Sequence, residues 1–265
     1  MEKILALGSR VLNCMVVGQL RAGTSVLQTS INMHSKAMCH GDVLHPDLAV
    51  RRKLYEDYFG PDPSEDTPGW YVLGGLVSPE QYLTARIFDH PLYQEQVIGA
   101  TVPYPRLHEH VLWEYCHERC LEGDFCVIHV RRNPIACYVS LMQAEQTGVW
   151  SQLINDRTVI ESPHPVRLDP RELTTFCRWH AAHEGKIAML CDDRLEINYL
   201  ELITNYPKVM EGVFAYLELS PLPGVRPGVR RLKNRSLRDR VLNFEAARRE
   251  VPSDVRMFFD ADDLF

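Results

Sequence analysis

The sequence predicts a three-layer α/β/α fold in which helices cover both faces of a central parallel sheet. Short apolar runs alternate along the chain with longer segments of helical periodicity, the pattern of a parallel sheet with crossover helices. A chain of 265 residues can bury roughly three quarters of its unfolded surface, so we expect one domain over 1–265. Basic and hydroxyl-bearing turns follow two of the apolar runs, where open parallel sheets bind ligands.

The predicted strands are short and apolar, and in chain order they are Cys14–Val17, Ala37–Cys39, Val97–Thr101, Phe125–Val130 and Leu195–Ile197. Several predicted helices begin at a proline, which is favoured in the first turn of a helix. These helices are Thr24–Asn32, Pro46–Tyr58, Pro79–Asp89, Leu107–Leu121, Pro134–Thr147, Pro170–Leu190 and Lys208–Leu217. Segments rich in proline or glycine are predicted to be loops, at Gly60–Gly75, Ile160–Pro170 and Leu219–Pro227.

Composition narrows the classes of partner. The formal net charge of −6 argues against general nucleic-acid binding, because neutralising phosphates requires a basic face. No run approaches about 18 uncharged apolar residues, so we expect no membrane span. The eight cysteines are scattered without a Cys-x-x-Cys pair, which favours a reducing compartment over a disulfide framework. A cytoplasmic location is therefore predicted.

The first polar motif is the turn between the strand Cys14–Val17 and the helix that starts at Thr24. A strand that leads into a helix through Gly18–Gly23 directs several backbone N–H groups, and the positive end of the helix dipole, at one point. Arg21 and Ser25 add a charge and a hydroxyl, which favours phosphate binding. The turn lacks the Gly-Lys pair of the magnesium-dependent nucleotide-triphosphatase loop. The alternative is an ordinary strand–turn–helix with an arginine on its surface.

The second motif follows the strand Phe125–Val130, which ends at Arg131 and Arg132. Pro134 marks the start of a helix, and Ser140 lies about two turns into it. A guanidinium at the strand end and a hydroxyl on the next helix can hold one phosphate from two sides. The alternative is an arginine pair at the edge of the sheet and an unrelated helical serine.

Together the two motifs resemble the nucleotide site of sulfotransferases that use 3′-phosphoadenosine 5′-phosphosulfate (PAPS). Arg21-Ala22-Gly23-Thr24-Ser25 is similar to that family's (Arg/Lys)-Ser-Gly-Thr-(Thr/Ser) turn, and Arg132-Asn133-Pro134 with Ser140 is similar to its Arg-(Asp/Asn)-Pro block and helix serine. Further blocks follow in the family's order, at 39–46, 98–103 and 195–202. The resemblance spans roughly Leu12 to Glu245, and it implies the P-loop-like sulfotransferase fold.

The resemblance also implies which residues bind the donor. The turn within 12–33 would hold the 5′-phosphosulfate, through Gly18, Gln19, Leu20, Arg21, Ala22, Gly23, Thr24 and Ser25. The strand and helix within 125–147 would hold the 3′-phosphate through Arg132 and Ser140, and Tyr199 would also contact the nucleotide. Seven cations lie between Arg226 and Arg240, and in the family such a segment forms a lid. Here the lid would be 219–245, with Arg231, Lys233 and Arg235 as its contacts.

Catalysis needs a base for the acceptor, and the resemblance points to the block that follows the second strand. Asp42 is the favoured base, with His40 and His45 as alternatives; each histidine is alternatively a polar loop residue or a helix cap. Two residues depart from the family pattern. Ala22 replaces a serine that offers a phosphate donor, and Ala100 stands where many members have a lysine.

The function implied is transfer of a sulfuryl group from PAPS to a hydroxyl or amine of a small-molecule acceptor. Arg21 would neutralise charge on the leaving group, and no metal is implied. Two alternatives stay open: a small-molecule kinase with a phosphate-binding loop, and a non-catalytic member that binds nucleotide. A homodimer is also left open. His180 and His183 lack the His-Glu-x-x-His order of a zinc protease, so we expect them to be structural or to line the acceptor site.

Overall fold

The computed structural model describes residues 11–42, 44, 83–88, 94–107, 110–150, 164–229 and 236–261. The predicted helix Pro46–Tyr58 and the predicted loop Gly60–Gly75 lie outside these residues. Of the predicted helix Pro79–Asp89, the described part forms a π-helical turn at Leu83–Phe88.

Five parallel strands form one sheet, which confirms the predicted α/β class. The strands are β1 (Leu12–Gly18), β2 (Ala37–Asp42), β3 (Val97–Pro103), β4 (Phe125–Arg131) and β5 (Arg194–Asn198). Their order is β2-β3-β1-β4-β5, so β1 is central, and its last residue, Gly18, aligns with Pro103 on one side and Val130 on the other. All five predicted strands are confirmed, and each is slightly longer than predicted. The carboxyl ends of β1, β3 and β4 therefore meet at one edge.

Side-chain caps mark the start of several helices. In chain order they are α1 (Thr24–Ile31), α2 (Tyr104–Leu107), α3 (His110–Leu121), α4 (Pro134–Thr147), α5 (Pro170–Leu190), α6 (Tyr199–Thr204), α7 (Tyr206–Tyr216), α8 (Leu237–Arg240), α9 (Phe244–Glu250) and α10 (Ser253–Asp260). The bounds of α4 and α5 match the prediction residue for residue. Asn133 and Asp169 each accept hydrogen bonds from first-turn amides, and a proline follows each of them.

Two predicted helices are placed differently in the structure. The segment predicted as one helix over Leu107–Leu121 contains only the last residue of α2, Leu107, and then α3, which begins at His110. The segment predicted as Lys208–Leu217 begins two residues earlier, at Tyr206 after the break at Asn205. The three short helices from α8 to α10 were not predicted; they pack together on α4 and α5.

Helices cover both faces of the sheet. On the first face, here called the α1 face, α1 and α7 pack on residues of β1 and β4 such as Val16 and Ile128. On the second face, the α5 face, α3 and α5 pack on the alternate residues, such as Val17 and Val127. All four of these strand side chains are fully buried. Since burial of such a side chain contributes about 1.5–3 kcal/mol, the two apolar faces hold the three layers together.

A third apolar cluster attaches the C-terminal helices. Side chains of α8, α9 and α10 pack on α4 and α5, and Val166 forms a parallel bridge with Val241. Backbone hydrogen bonds from Val166 to Arg240 (2.9 Å) and from Leu242 to Val166 (2.8 Å) close this contact. The described end of the predicted basic lid is thereby tied to α4, the helix that carries Ser140.

Within the described residues, no helix has both the length and the apolar composition needed to cross a membrane.

Candidate anion-binding site

The turn after β1 begins with a glycine because the neighbouring strand lies too close for a side chain. A Cβ at Gly18 would lie 2.9 Å from the carbonyl oxygen of Val130. The turn then closes on itself: the Gln19 side chain accepts a hydrogen bond from the Leu20 amide (3.0 Å), and the Gln19 carbonyl accepts one from the Ala22 amide (2.9 Å). Two of the amides expected to bind phosphate are therefore used to shape the turn.

The start of α1 is open to an anion. Arg21 and Gly23 both have positive φ, of 72° and 104°, and this reversal brings the chain into the helix. Within the described residues we find no acceptor for the N–H groups of Gly23, Thr24 and Ser25, and the first turn has no acidic residue. Unsatisfied amides and the helix dipole together favour a negative group here.

The second motif is fixed by its own cap. The Asn133 side chain accepts hydrogen bonds from two first-turn amides of α4, at 2.9 and 3.4 Å, and donates one to the carbonyl of Phe258 (2.7 Å). Pro134 sets the backbone of the first helical residue. The Asn133 side chain is thus hydrogen-bonded both to the first turn of α4 and to α10. These bonds fix the backbone at the end of β4, next to Arg132.

The side chains of the adjacent residues Arg131 and Arg132 lie on opposite faces of the sheet. Arg131 forms ion pairs with Glu184 and, at 3.8 Å, with Glu196, and the hydrogen bond that Arg131 donates to Glu184 raises the pKa of Arg131. The guanidinium of Arg132 lies instead over the ring of Tyr199, 4.1 Å from its centroid. Alternation along a strand accounts for this division. Arg131 is held by carboxylates, while Arg132 is directed to the α1 face.

Arg132 and Arg21 come together although 111 residues separate them in the sequence. A terminal nitrogen of Arg132 donates to the carbonyl of Arg21 (2.6 Å), and Nε of Arg21 donates to the hydroxyl of Ser140 (3.1 Å). Arg21 also donates to the carbonyl of Trp150. The two sequence motifs thus form one site, and the partners of Arg21 are neutral groups.

The electrostatics of this site favour an anion. Burial, and then the neighbouring Arg132, lower the pKa of Arg21. Within the described residues Arg21 forms no ion pair, so its charge is not neutralised there. Two guanidiniums raise each other's energy until a negative group lies between them, and arginine binds phosphate or sulfate oxygens through paired N–H groups. The site therefore suits a ligand that carries more than one negative charge.

The segment predicted as a lid is anchored on both sides of this site. Gly228 packs on α1 so closely that a Cβ would lie 2.8 Å from the side chain of Thr29. Arg240 donates two hydrogen bonds to the Gln143 side chain, at 2.7 and 3.1 Å, one turn beyond Ser140. Three predicted contact residues lie between these anchors and outside the described residues: Arg231, Lys233 and Arg235.

The candidate bases are separated by a bulge at the end of β2. His40 aligns with Ala100, and after a shift in register Asp42 aligns with Thr101. The bulge turns Asp42 to the α1 face, the face of the phosphate-binding turn, whereas His40 lies on the α5 face and is 1% exposed. This placement favours Asp42 over His40 as a group that reaches an acceptor. His45 lies outside the described residues.

Both departures from the family pattern are core positions. Ala22 is fully buried against the α1 face, and Ala100 is fully buried between the sheet and the helices of the α5 face. A lysine at 100 would bring a charge into an apolar layer, which is strongly unfavourable without a partner. The positive charge that the family's lysine would bring to the donor is therefore not provided by residue 100.

A hydrogen-bonded chain of buried polar side chains on the α5 face was not predicted from the sequence. The Tyr104 hydroxyl lies 2.6 Å from Nε2 of His129, and Nδ1 of His129 lies 3.1 Å from Glu196. A histidine in an otherwise apolar strand was the available signal, but its partners are 25 and 67 residues away. His180 and His183 pack around the Tyr104 ring, and burial lowers the pKa of His180 to about 4.

No group of three or more His, Cys, Asp or Glu side chains able to hold a metal ion occurs in the described part of the chain. His180 and His183, predicted to be structural or to line the acceptor site, both lie against the Tyr104 ring, and His183 also stacks on Trp179 with centroids 3.8 Å apart.

No protein-family model and no curated protein matches the sequence. Among solved structures, this chain is similar to a sulfotransferase from Alicyclobacillus acidocaldarius, with 14% identity, 95% of this chain and 97% of that chain covered, and a TM-score of 0.49. It is also similar to a sulfotransferase from Mycobacterium avium, with 14% identity, 97% of this chain and 77% of that chain covered, and a TM-score of 0.44.

Replacing Gly23 with alanine tests the geometry of the turn. A Cβ at Gly23 would lie 2.6 and 2.8 Å from ring carbons of Tyr199, in addition to the strain of a positive φ. We expect Gly23→Ala to lower the free energy of unfolding by about 2–5 kcal/mol, of which about 1–2 kcal/mol is backbone strain. Urea denaturation measures both this variant and Gly148→Ala, where φ is 69° and no atom lies within 4 Å. Equal losses in the two variants would contradict close packing of Tyr199 on the turn.

Proposed function

We propose that the protein is a sulfotransferase that uses PAPS and transfers its sulfuryl group to a hydroxyl or amine of a small-molecule acceptor. The observation that carries this proposal is the meeting of Arg21 and Arg132 through a hydrogen bond of 2.6 Å, with the Ser140 hydroxyl 3.1 Å from Arg21. One motif alone would suit a single phosphate. The joined motifs present two guanidiniums and a helix N-terminus to one ligand, which suits a donor with two separate anionic ends.

The 5′ end of the donor belongs at the start of α1. The N–H groups of Gly23, Thr24 and Ser25 are directed there, and the two hydroxyls add further donors. Arg21 lies beside them, where its charge stabilises the negative charge that develops on the leaving oxygen. In-line group transfer of this kind depends mostly on positioning and charge neutralisation. This arrangement supplies both without the Gly-Lys and magnesium of the triphosphatase loop.

The 3′-phosphate belongs at the second motif. Arg132 is oriented by the Tyr199 ring, and Ser140 on α4 lies beside Arg21, from which it accepts a hydrogen bond (3.1 Å). Arg231, Lys233 and Arg235 would add contacts to this phosphate. The residues on either side of their segment, Gly228 and Arg240, contact α1 and α4. This phosphate distinguishes PAPS from ordinary adenine nucleotides, so the second motif determines the choice of nucleotide.

The acceptor side lies at β2 and β3. We propose Asp42 as the base: it accepts the proton from the acceptor hydroxyl as the acceptor oxygen bonds to sulfur and the bond from sulfur to the phosphate oxygen breaks. Adenosine 3′,5′-bisphosphate leaves with the electron pair of that bond. The bulge that turns Asp42 to the α1 face supports this role.

Calorimetry with adenosine nucleotides tests the donor. We expect the protein to bind adenosine 3′,5′-bisphosphate at least tenfold more tightly than AMP or ATP, and Arg132→Ala to abolish most of that preference. Hydrogen bonds to a charged group contribute about 1.5–3 kcal/mol, so the loss should be about 10- to 150-fold for the bisphosphate and small for AMP. Arg131→Ala, the adjacent arginine held by carboxylates, is the matched control and should change the affinity less than threefold. A preference for ATP would favour the kinase alternative.

Turnover tests the role of Arg21. With radiolabelled PAPS and a panel of phenols, alcohols and amines, we expect Arg21→Ala to lower kcat at least a hundredfold, since it removes charge stabilisation present mainly in the transition state. Arg178→Ala serves as the control, because Arg178 is an exposed residue paired with Asp254. Transfer at the wild-type rate by a folded Arg21→Ala protein would exclude the role assigned to Arg21.

The pH profile of transfer tests the base. Asp42→Asn keeps the size of the side chain and removes its capacity to accept a proton, so we expect kcat to fall by about 10²–10⁴. The acidic limb of the profile should disappear with it, while the affinity for adenosine 3′,5′-bisphosphate stays unchanged. An unchanged rate and profile would assign the base to another residue, and His45→Gln is then the variant to measure.

A further inference from the structure

A chain of three side chains crosses the sheet beneath the candidate site, on the α5 face. Tyr104 follows β3, His129 lies on β4 and Glu196 on β5, and in the sheet β1 lies between β3 and β4. The Tyr104 hydroxyl donates to Nε2 of His129 (2.6 Å), and Nδ1–H of His129 donates to Glu196 (3.1 Å). Tyr104 and His129 are at most 1% exposed, whereas the Glu196 side chain is 36% exposed. These hydrogen bonds therefore connect the carboxyl ends of β3, β4 and β5 on the α5 face of the sheet.

His129 and Glu196 each lie three residues before a residue of the anion site in the sequence. His129 and Glu196 are cross-strand partners, and so are Arg131 and Asn198. Three residues after His129 comes Arg132, and three residues after Glu196 comes Tyr199. Asn198 holds the start of α6 by accepting a hydrogen bond from the Leu200 amide (2.8 Å). The hydrogen bond between His129 and Glu196 thus joins the two strands just before they deliver the stacked pair Arg132 and Tyr199.

We propose that His129 and Glu196 are positioning residues for the 3′-phosphate. Their hydrogen bond fixes the relative position of β4 and β5, and this keeps the Arg132 guanidinium over the Tyr199 ring, oriented toward the phosphate. Neither residue contacts the donor, because both side chains lie on the opposite face of the sheet. This inference rests on the proposed function, in which Arg132 binds the 3′-phosphate.

Glu196 could influence nucleotide affinity in two ways, through its hydrogen bond to His129 and through its negative charge. Loss of the hydrogen bond should weaken binding and loss of the charge should strengthen it, so an experiment can separate them. Glu196 also pairs with Arg194 (2.6 Å) and lies 3.8 Å from Arg131. If its charge alone mattered, any neutral residue at 196 would make the site more positive and tighten the binding of every anionic nucleotide. If its hydrogen bond matters, glutamine keeps the acceptor oxygen for His129 and preserves the site, whereas alanine does not.

The experiment measures the ratio of the affinities for adenosine 3′,5′-bisphosphate and AMP, by calorimetry on the full chain. Glu196→Ala should lower this ratio about tenfold with the AMP affinity unchanged, and Glu196→Gln should keep it within twofold of wild type. Tyr216→Phe is the matched control. It removes a hydroxyl that bonds to Val127 (3.3 Å) and to the Asp193 carbonyl (2.9 Å), a tie between β4 and β5 at the other end of the strands, and should leave the ratio unchanged.

Each outcome distinguishes the possibilities. Equal changes in Glu196→Ala and Glu196→Gln would show a charge effect and overturn the inference, and so would a similar loss in Tyr216→Phe, which would show general loosening. An unchanged ratio in Glu196→Ala also overturns it. If Glu196→Ala does not fold, the double variant Tyr104→Phe/His129→Leu removes both polar partners in the buried layer and should show the same tenfold loss. A wild-type ratio near one is a failure of the proposed function itself, not of the positioning role.

Discussion

The structure of the candidate site depends on the hydrogen bond from Arg132 to the backbone carbonyl of Arg21. This contact joins the turn after β1 to the end of β4 and places a second positive charge beside a guanidinium whose own partners are a hydroxyl and a carbonyl. Such a pair is unfavourable unless an anion binds, because burial and like charge both disfavour the charged state of Arg21. The Tyr199 ring, Ser140 and the capped helix α4 hold the two guanidiniums in position.

Several features of the site result from the alternation of side chains along β-strands. Arg131 and Arg132 are neighbours, yet the carboxylates of Glu184 and Glu196 hold the first while the Tyr199 ring orients the second. From the sequence, only the resemblance to the Arg-(Asp/Asn)-Pro block selects Arg132, since both arginines provide a positive charge at the end of a strand. The bulge at the end of β2 has the same kind of effect, because it moves Asp42 to the face that holds the turn. A small local irregularity therefore decides which side chains share a cleft.

The sequence predicted those elements whose signals are local. The helices α4 and α5 were predicted to the residue because a capping side chain and a proline mark each start. The break after Leu107 was missed, since apolar residues continue across it. The helices α8 to α10 were missed as well, and they pack on α4 and α5. Ala100 could not be interpreted from sequence either: only its burial explains why a lysine is excluded there.

By itself, the sequence determined the α/β class, the strands and most long helices, and the two motifs with Arg21, Arg132 and Ser140 as candidates. These follow from periodicity, capping and turn chemistry, which act over a few residues. The sequence favoured Arg132 and Asp42 only through the resemblance. The tertiary structure adds the contact of Arg132 with Arg21, the alignment of Asp42 with Thr101 on the α1 face, and the hydrogen bonds that link Tyr104, His129 and Glu196. These contacts join residues far apart in the sequence, and the pairing of the strands brings them together.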